Sequence, residues 1–167
     1  SRGFFCCRRI RTGRYEEIGS KSLLTQIKET RYKQILLYIH GFSNLPEEVF
    51  KGAKEFQALC NKKREREVLV IPVIWPCDND FGLVKDYWDD QKAADQSAFS
   101  FARMLQKFMA WRNSADDNPD EDPCLKRINI LAHSMGNRVF RQTLSNWRKY
   151  HQPGGLPMLF RNTFLIA

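Results

Sequence analysis

No apolar run in this sequence approaches the ~20 residues that a membrane-spanning helix needs, which excludes a helical span. No signal-peptide pattern opens it. Cys6, Cys7, Cys60, Cys77 and Cys124 are five in number, an odd count, and widely scattered. None of them forms a Cys-x-x-Cys pair, so the common zinc and dithiol motifs are excluded. A reduced, cytoplasmic setting is the simplest reading of such usage. Histidine is scarce, with three residues, His40, His133 and His151. The acids stop early: neither Asp nor Glu follows Asp122.

Acids are also missing from the start of the chain. Arg2, Arg8, Arg9, Arg11 and Arg14 crowd the first 14 residues without one, and the whole chain carries a formal net charge of +8. A basic arm of this kind binds anionic lipid or nucleic acid through charge. No recognition motif with interleaved aromatics appears, so no specific nucleic-acid partner is expected. Phe4-Phe5-Cys6-Cys7 beside the arginines also fits a membrane-touching or palmitoylated patch, which would give peripheral association. The arm is expected to be poorly packed and to stand apart from any catalytic site. Lys62, Lys63, Arg64 and Arg66, diluted by Glu65 and Glu67, read as solvated surface charge.

What is present is a globular domain. A chain of 167 residues with 43% apolar content forms one domain and buries a core. Residues 1–34 read as the basic arm, with weak strands around Tyr15–Ile18 and Leu23–Ile27. Ile35-Leu36-Leu37-Tyr38-Ile39 reads as a buried parallel strand. Pro46, Glu47 and Glu48 suit a first helical turn, and Val49, Ala53, Phe56 and Cys60 recur at helical spacing. Val68–Trp75 reads as a strand in which Pro72, lacking a donor, demands an edge or a bulge. Residues 90–111 predict an amphipathic helix with Ala94, Ala98, Phe101, Leu105 and Phe108 on one face. Asn113–Pro123, with Asp116, Asp117, Asp120, Glu121 and Asp122, reads as a solvated acidic loop. It lacks the central glycine and spacing of an EF-hand, so no metal is expected there. Arg127–Ala132 predicts a strand, Met135–Lys149 a helix, and Asn162–Ala167 a last strand. Strands alternating with helices predict an α/β fold: a mostly parallel sheet with flanking helices.

The chemistry concentrates at Ala132-His133-Ser134-Met135-Gly136-Asn137. A strand precedes Ser134 and a helix follows it. A serine in that turn is lifted clear of the sheet with its hydroxyl exposed. Ala132 and Gly136, two before and two after, are small, as a close strand–helix approach requires. A plain helix-capping serine gives a similar local sequence. A second motif tips the balance: Tyr38-Ile39-His40-Gly41-Phe42 closes the strand Ile35–Ile39. A strand that ends in His-Gly suits one half of an oxyanion hole. Gly41 allows the turn that aims the N–H of Phe42 inward, and the N–H of Met135 is the second donor. The two strands are expected side by side, and Ser134 is expected at positive φ.

Leu36–Asn44, Ile74-Trp75-Pro76, the Tyr87…Asp90…Ala94 stretch and His133-Ser134-Met135-Gly136-Asn137-Arg138 together resemble a bacterial branch of the α/β-hydrolases catalogued as a domain of unknown function. The resemblance covers residues 35–167, a partial α/β-hydrolase core. Cys77 stands where that branch often has serine. The resemblance implies a serine hydrolase-type site with Ser134 as nucleophile and no cofactor, and the expected function is hydrolysis of a carboxylic ester or thioester, a small-molecule ester or acyl substrate, through an acyl-serine. It also implies a triad in the order Ser, then Asp or Glu, then His. After Ser134 this chain offers only His151. His133 leaves the turn in another direction and His40 sits in the oxyanion turn. The expectation is therefore a trimmed chain that lacks the acid and base and is weak as an enzyme by itself. A non-catalytic binding or scaffold module on the same fold is the alternative, and an anion-binding protein driven by the arginine arm is a third. Substrate identity and oligomeric state are not legible.

Overall fold

The runs Ile35–Ile39 and Val68–Val73 are apolar on both faces, and that dictates a sheet covered on both sides. In the computed structural model, which describes residues 3–42, 44–77, 83–117 and 124–167, that sheet is built as follows. A hairpin of β1 (Cys7–Arg11) and β2 (Arg14–Glu17) leads into helix α1 (Gly19–Glu29). Then come β3 (Gln34–Ile39), α2 (Pro46–Cys60), β4 (Val68–Val73), α3 (Leu83–Asp117), β5 (Arg127–His133), α4 (Gly136–Tyr150) and β6 (Phe160–Ile166). The main sheet has the order β4-β3-β5-β6, and every pairing in it is parallel. The expected α/β class, with helices flanking a parallel sheet, is what the chain adopts.

Register sorts the side chains by face. Leu36 and Tyr38 of β3 meet Val49 and Ala53 of α2, with Val70 and Leu131 beside them. Ile35 and Ile128 pack under Ile27 of α1. Ile39, Ile130 and Ala132 pack with Leu105 of α3 and Val139 of α4. So α2 covers one face and α1, α3 and α4 the other. Pro72 falls on β4, which pairs only with β3 among the described residues, so its missing N–H costs the sheet nothing.

Several sequence expectations need correction. Leu23–Ile27 is helical, not a strand. Leu23, Leu24 and Ile27 form an i, i+1, i+4 stripe, and Leu24 and Ile27 are buried. The predicted strand at Val68–Trp75 ends at Val73. The helix expected at 90–111 runs from Leu83 to Asp117, so Asp116 and Asp117 extend it and do not open a loop. Asp120, Glu121 and Asp122 lie outside the described residues.

The arm is largely exposed, as expected of poor packing, but it is ordered as a hairpin and tied down by hydrogen bonds. Gly13 at φ +67° turns the β1–β2 hairpin. Arg9 donates twice to one Glu47 oxygen, at 2.9 and 2.6 Å. The other oxygen accepts from Gly13 N–H at 2.9 Å and from the Tyr15 hydroxyl. Arg8 reaches Gln26 of α1 at 3.1 Å. Arg9 first, then Tyr15 and Gly13, pull the Glu47 carboxyl down to about 2. A folded pKa below the ordinary 4.5 means this contribution is present above that pH and is lost as pH falls toward 2. Glu47→Ala is expected to speed tryptic cleavage after Arg11 and Arg14 several-fold while the melting temperature changes little, because the contacts are exposed. Unchanged cleavage would mean that Glu47 does not anchor the hairpin.

Candidate active site

The site lies at the carboxyl ends of β3 and β5, where open α/β sheets hold their ligands. The two strands are parallel neighbours, with Ile39 opposite Ala132. Ser134 follows β5 at φ +51°, a left-handed conformation that non-glycine residues rarely adopt. It is exposed. The helix cap is Met135, at φ −62° and ψ −20°, so Ser134 is not an ordinary capping serine. Its backbone is pinned by neighbours: the Ser134 N–H donates to the Ile166 carbonyl at 2.8 Å, and the Asn137 amide donates to the same oxygen at 2.9 Å. The Ser134 carbonyl in turn accepts from Asn137 N–H at 2.9 Å.

The two glycines make the close approach possible. A Cβ on Gly41 would lie 3.1 Å from Ser134 Cβ and 3.0 Å from His133 Nδ1. A Cβ on Gly136 would lie 2.6 Å from the carbonyl oxygens of both Ile39 and His40. Gly41, the residue before Phe42, therefore sits directly against Ser134, and the start of α4 sits directly against the end of β3.

His40 holds that turn in place. It is fully buried and stacked on Trp75, with ring centroids 5.1 Å apart and planes 10° from parallel. Its Nε2 accepts from the Trp75 backbone N–H at 3.2 Å, which leaves Nδ1–H to donate to the Gly41 carbonyl at 2.8 Å. The Trp75 indole donates back to the His40 carbonyl at 3.0 Å. Burial pushes the imidazole pKa down to about 4, so it is neutral at physiological pH. His40 is a fixed, neutral strut beneath Gly41. Cys77 completes this wall, its thiol 3.3 Å from the Asn44 carbonyl and 3.8 Å from His40 Nδ1.

The other two histidines are placed differently. His133 is half-buried with its ring beside Gly41. His151 caps the far end of α4, a helix of 15 residues. At 1.5 Å rise per residue that is roughly 20 Å from Ser134. No hydrogen bond joins any histidine to the Ser134 hydroxyl among the described residues.

A family model matches residues 16–167, and its description is an alpha/beta hydrolase of unknown function, DUF900. The chain belongs to that family. No curated protein and no solved structure matches it. Two features of this DUF900 member escaped the motifs. One is the Trp75 stack on His40. The segment Ile74-Trp75-Pro76 stood out in the sequence, but nothing in it named the partner. The other is the clamp between α3 and α4: Arg138 donates from Nε and Nη2 to the two Asp95 oxygens, both at 2.8 Å, and to Gln91 at 3.1 Å. That pair, together with Trp147 Nε1 bonded to Gln106 at 3.0 Å, sets the direction in which α4 leaves the turn. An arginine at one helix start and an Asp at helical spacing from Gln91 were the only sequence traces of it.

Proposed function

We propose that this chain carries the nucleophile of a serine hydrolase acting on a carboxylic ester or thioester. The observation that carries the reading is Ser134 itself: exposed, at φ +51°, between β5 and α4 and in contact with the Gly41 turn. Strain of this kind persists where the surrounding structure over-determines it and is concentrated at functional sites. In this reading the Ser134 hydroxyl oxygen attacks the substrate carbonyl carbon. The carbonyl oxygen gains negative charge and accepts hydrogen bonds donated by the backbone N–H groups of Phe42 and Met135. The alcohol or thiol leaves with a proton, an acyl-serine remains, and water releases the acid. The Ser134 proton passes to a general base, which returns it to the leaving alcohol or thiol; that base is not His40, whose two ring nitrogens are both engaged.

The engaged state of His40 and the remote position of His151 favour one second reading, a non-catalytic binding module that keeps the turn as fold geometry. Labelling with a fluorophosphonate separates the two. In a chain extended through a later acid and histidine, the hydrolase reading expects covalent labelling at Ser134, lost in Ser134→Ala, with aryl-ester turnover in that variant falling about 10³-fold or to background, while the 167-residue chain by itself labels slowly. It further expects Gly41→Ala to slow labelling by about 10²-fold, since the added methyl displaces the turn that carries one oxyanion donor. Absence of labelling both in the folded 167-residue chain and in one extended through a later acid and histidine would sink the hydrolase reading and leave the binding module.

A further inference from the structure

One cavity among the described residues has a lining that does not include Ser134, Gly41, Phe42 or Met135. It measures about 730 Å³ and lies between the sheet, α1 and α3. That size is within the range of about 300–1,000 Å³ typical of small-molecule sites. Leu37 and Ile71 of the sheet, Ile27 of α1, and Phe101 and Leu105 of α3 supply apolar walls. Ser97 and Ser100 of α3 are the small polar breaks in that lining.

The chain's own start closes one side. Phe4, Phe5, Cys6 and Cys7 line the cavity, and Cys6 is buried while Phe5 stays 74% exposed. The segment is held down by Ile18 N–H donating to the Cys6 carbonyl at 2.8 Å. Lys107, also in the lining, places its ammonium 5.4 Å from the centre of the Phe4 ring and is itself exposed. Arg8, Arg11 and Arg14 project from the adjoining hairpin. An apolar interior thus opens beside the Lys107 ammonium, while the hairpin itself is mixed in charge, with Glu17 opposite Cys7 and Glu16 opposite Arg8.

We propose that this cavity binds the hydrocarbon chain of an anionic amphiphile, with its carboxylate or phosphate at the Lys107 side of the rim. The walls come from three elements of one chain already packed together, so the guest is slender, an acyl chain and not a helix of ~10 Å diameter. Burial of the chain supplies the affinity. Lys107 supplies the selectivity for an anion over a neutral chain of equal length. The site is independent of hydrolysis at Ser134.

Oleate, oleyl alcohol and a fluorescent polyene fatty acid test this by displacement titration, below the micellar concentration. The expected result is one oleate per chain, bound about fivefold more tightly than oleyl alcohol. Ser97→Trp, which fills the cavity from a half-buried helical position, is expected to weaken both ligands at least about tenfold. Lys107→Glu is expected to remove the preference for oleate and leave oleyl alcohol unchanged. This second variant alters only an exposed side chain, so the test survives if Ser97→Trp does not fold. Ser134→Ala is expected to bind oleate as the wild type does, whichever way its labelling result falls. Absence of saturable oleate binding, binding that ignores a folded Ser97→Trp, or an oleate preference that survives Lys107→Glu would overturn the proposal.

Discussion

Gly136→Ala is expected to cost at least about 3 kcal/mol and to lower the melting temperature by about 10 °C, on the scale for a domain of this size. The added Cβ would sit 2.6 Å from two carbonyl oxygens and 3.1 Å from a carbonyl carbon, all in the chain at the end of β3. Those atoms are backbone, not the tip of a flexible side chain. β3 is held by β4 on one side and β5 on the other, so it has no direction in which to yield. Helix α4 must move instead, and the Arg138–Asp95 clamp and the packing of Val139 against Leu105 and Ile130 oppose that. Gly52, in the middle of α2, gives the contrasting control. Its Cβ would meet only the Tyr38 ring at 3.8 Å, an ordinary contact. Gly52→Ala is therefore expected to stabilise by about 0.5–1 kcal/mol through helix propensity. Thermal denaturation of the two variants checks both signs. A Gly136→Ala chain that melts like the wild type would mean that α4 does not approach β3 this closely.

The tight turn at Ser134 was legible because its steric requirement is written in adjacent residues. A small residue, a serine and a glycine at fixed offsets between an apolar run and an amphipathic one leave little else to build. β3 and β5 were legible for the same reason: each is a continuous apolar run, and a parallel interior strand has no polar face to break it. Where contact depends on residues far apart in sequence, the reading failed. What ties the arginine arm down was not legible, because Glu47, which receives Arg9, is 38 residues away. Leu23–Ile27 is a stretch too short for strand and helix periods to separate, and packing of Leu24 and Ile27 decided it. His40 lies in the turn that follows β3 and precedes Gly41, as its position after the apolar run implies. Its state, neutral and bonded at both nitrogens, is set by Trp75, 35 residues downstream, and no local motif encodes that.

That state of His40 gives the fold a measurable pH dependence. Stability is expected to rise as pH increases from about 4 to 6.5 and then to level off. The imidazole titrates near 6.5 when unfolded and at about 4 when folded, because burial disfavours its cation. Between those values the unfolded chain binds the proton and the folded chain does not, so protons favour unfolding. The difference, about 2.5 pH units at ~1.4 kcal/mol each, amounts to about 3 kcal/mol. Carboxylates contribute over a lower range. Glu47, Glu67 and Asp95 all have folded pKa values below their ordinary 4.5 or 3.8, so their stabilisation is lost only as pH falls below about those values. The slope between pH 5 and 6.5 is thus the part that reports on His40, worth about 2 kcal/mol. Urea unfolding at half-unit steps from pH 5 to 8 measures it. His40→Phe keeps a ring on Trp75 but removes the titration. It also leaves Trp75 N–H and the Gly41 carbonyl without their partner, which costs roughly 1–3 kcal/mol per group at every pH. The variant is therefore expected to be less stable throughout and flat across this window. A variant that keeps the wild-type slope would place the titration elsewhere, and with it the claim that a neutral His40 holds Gly41 against Ser134.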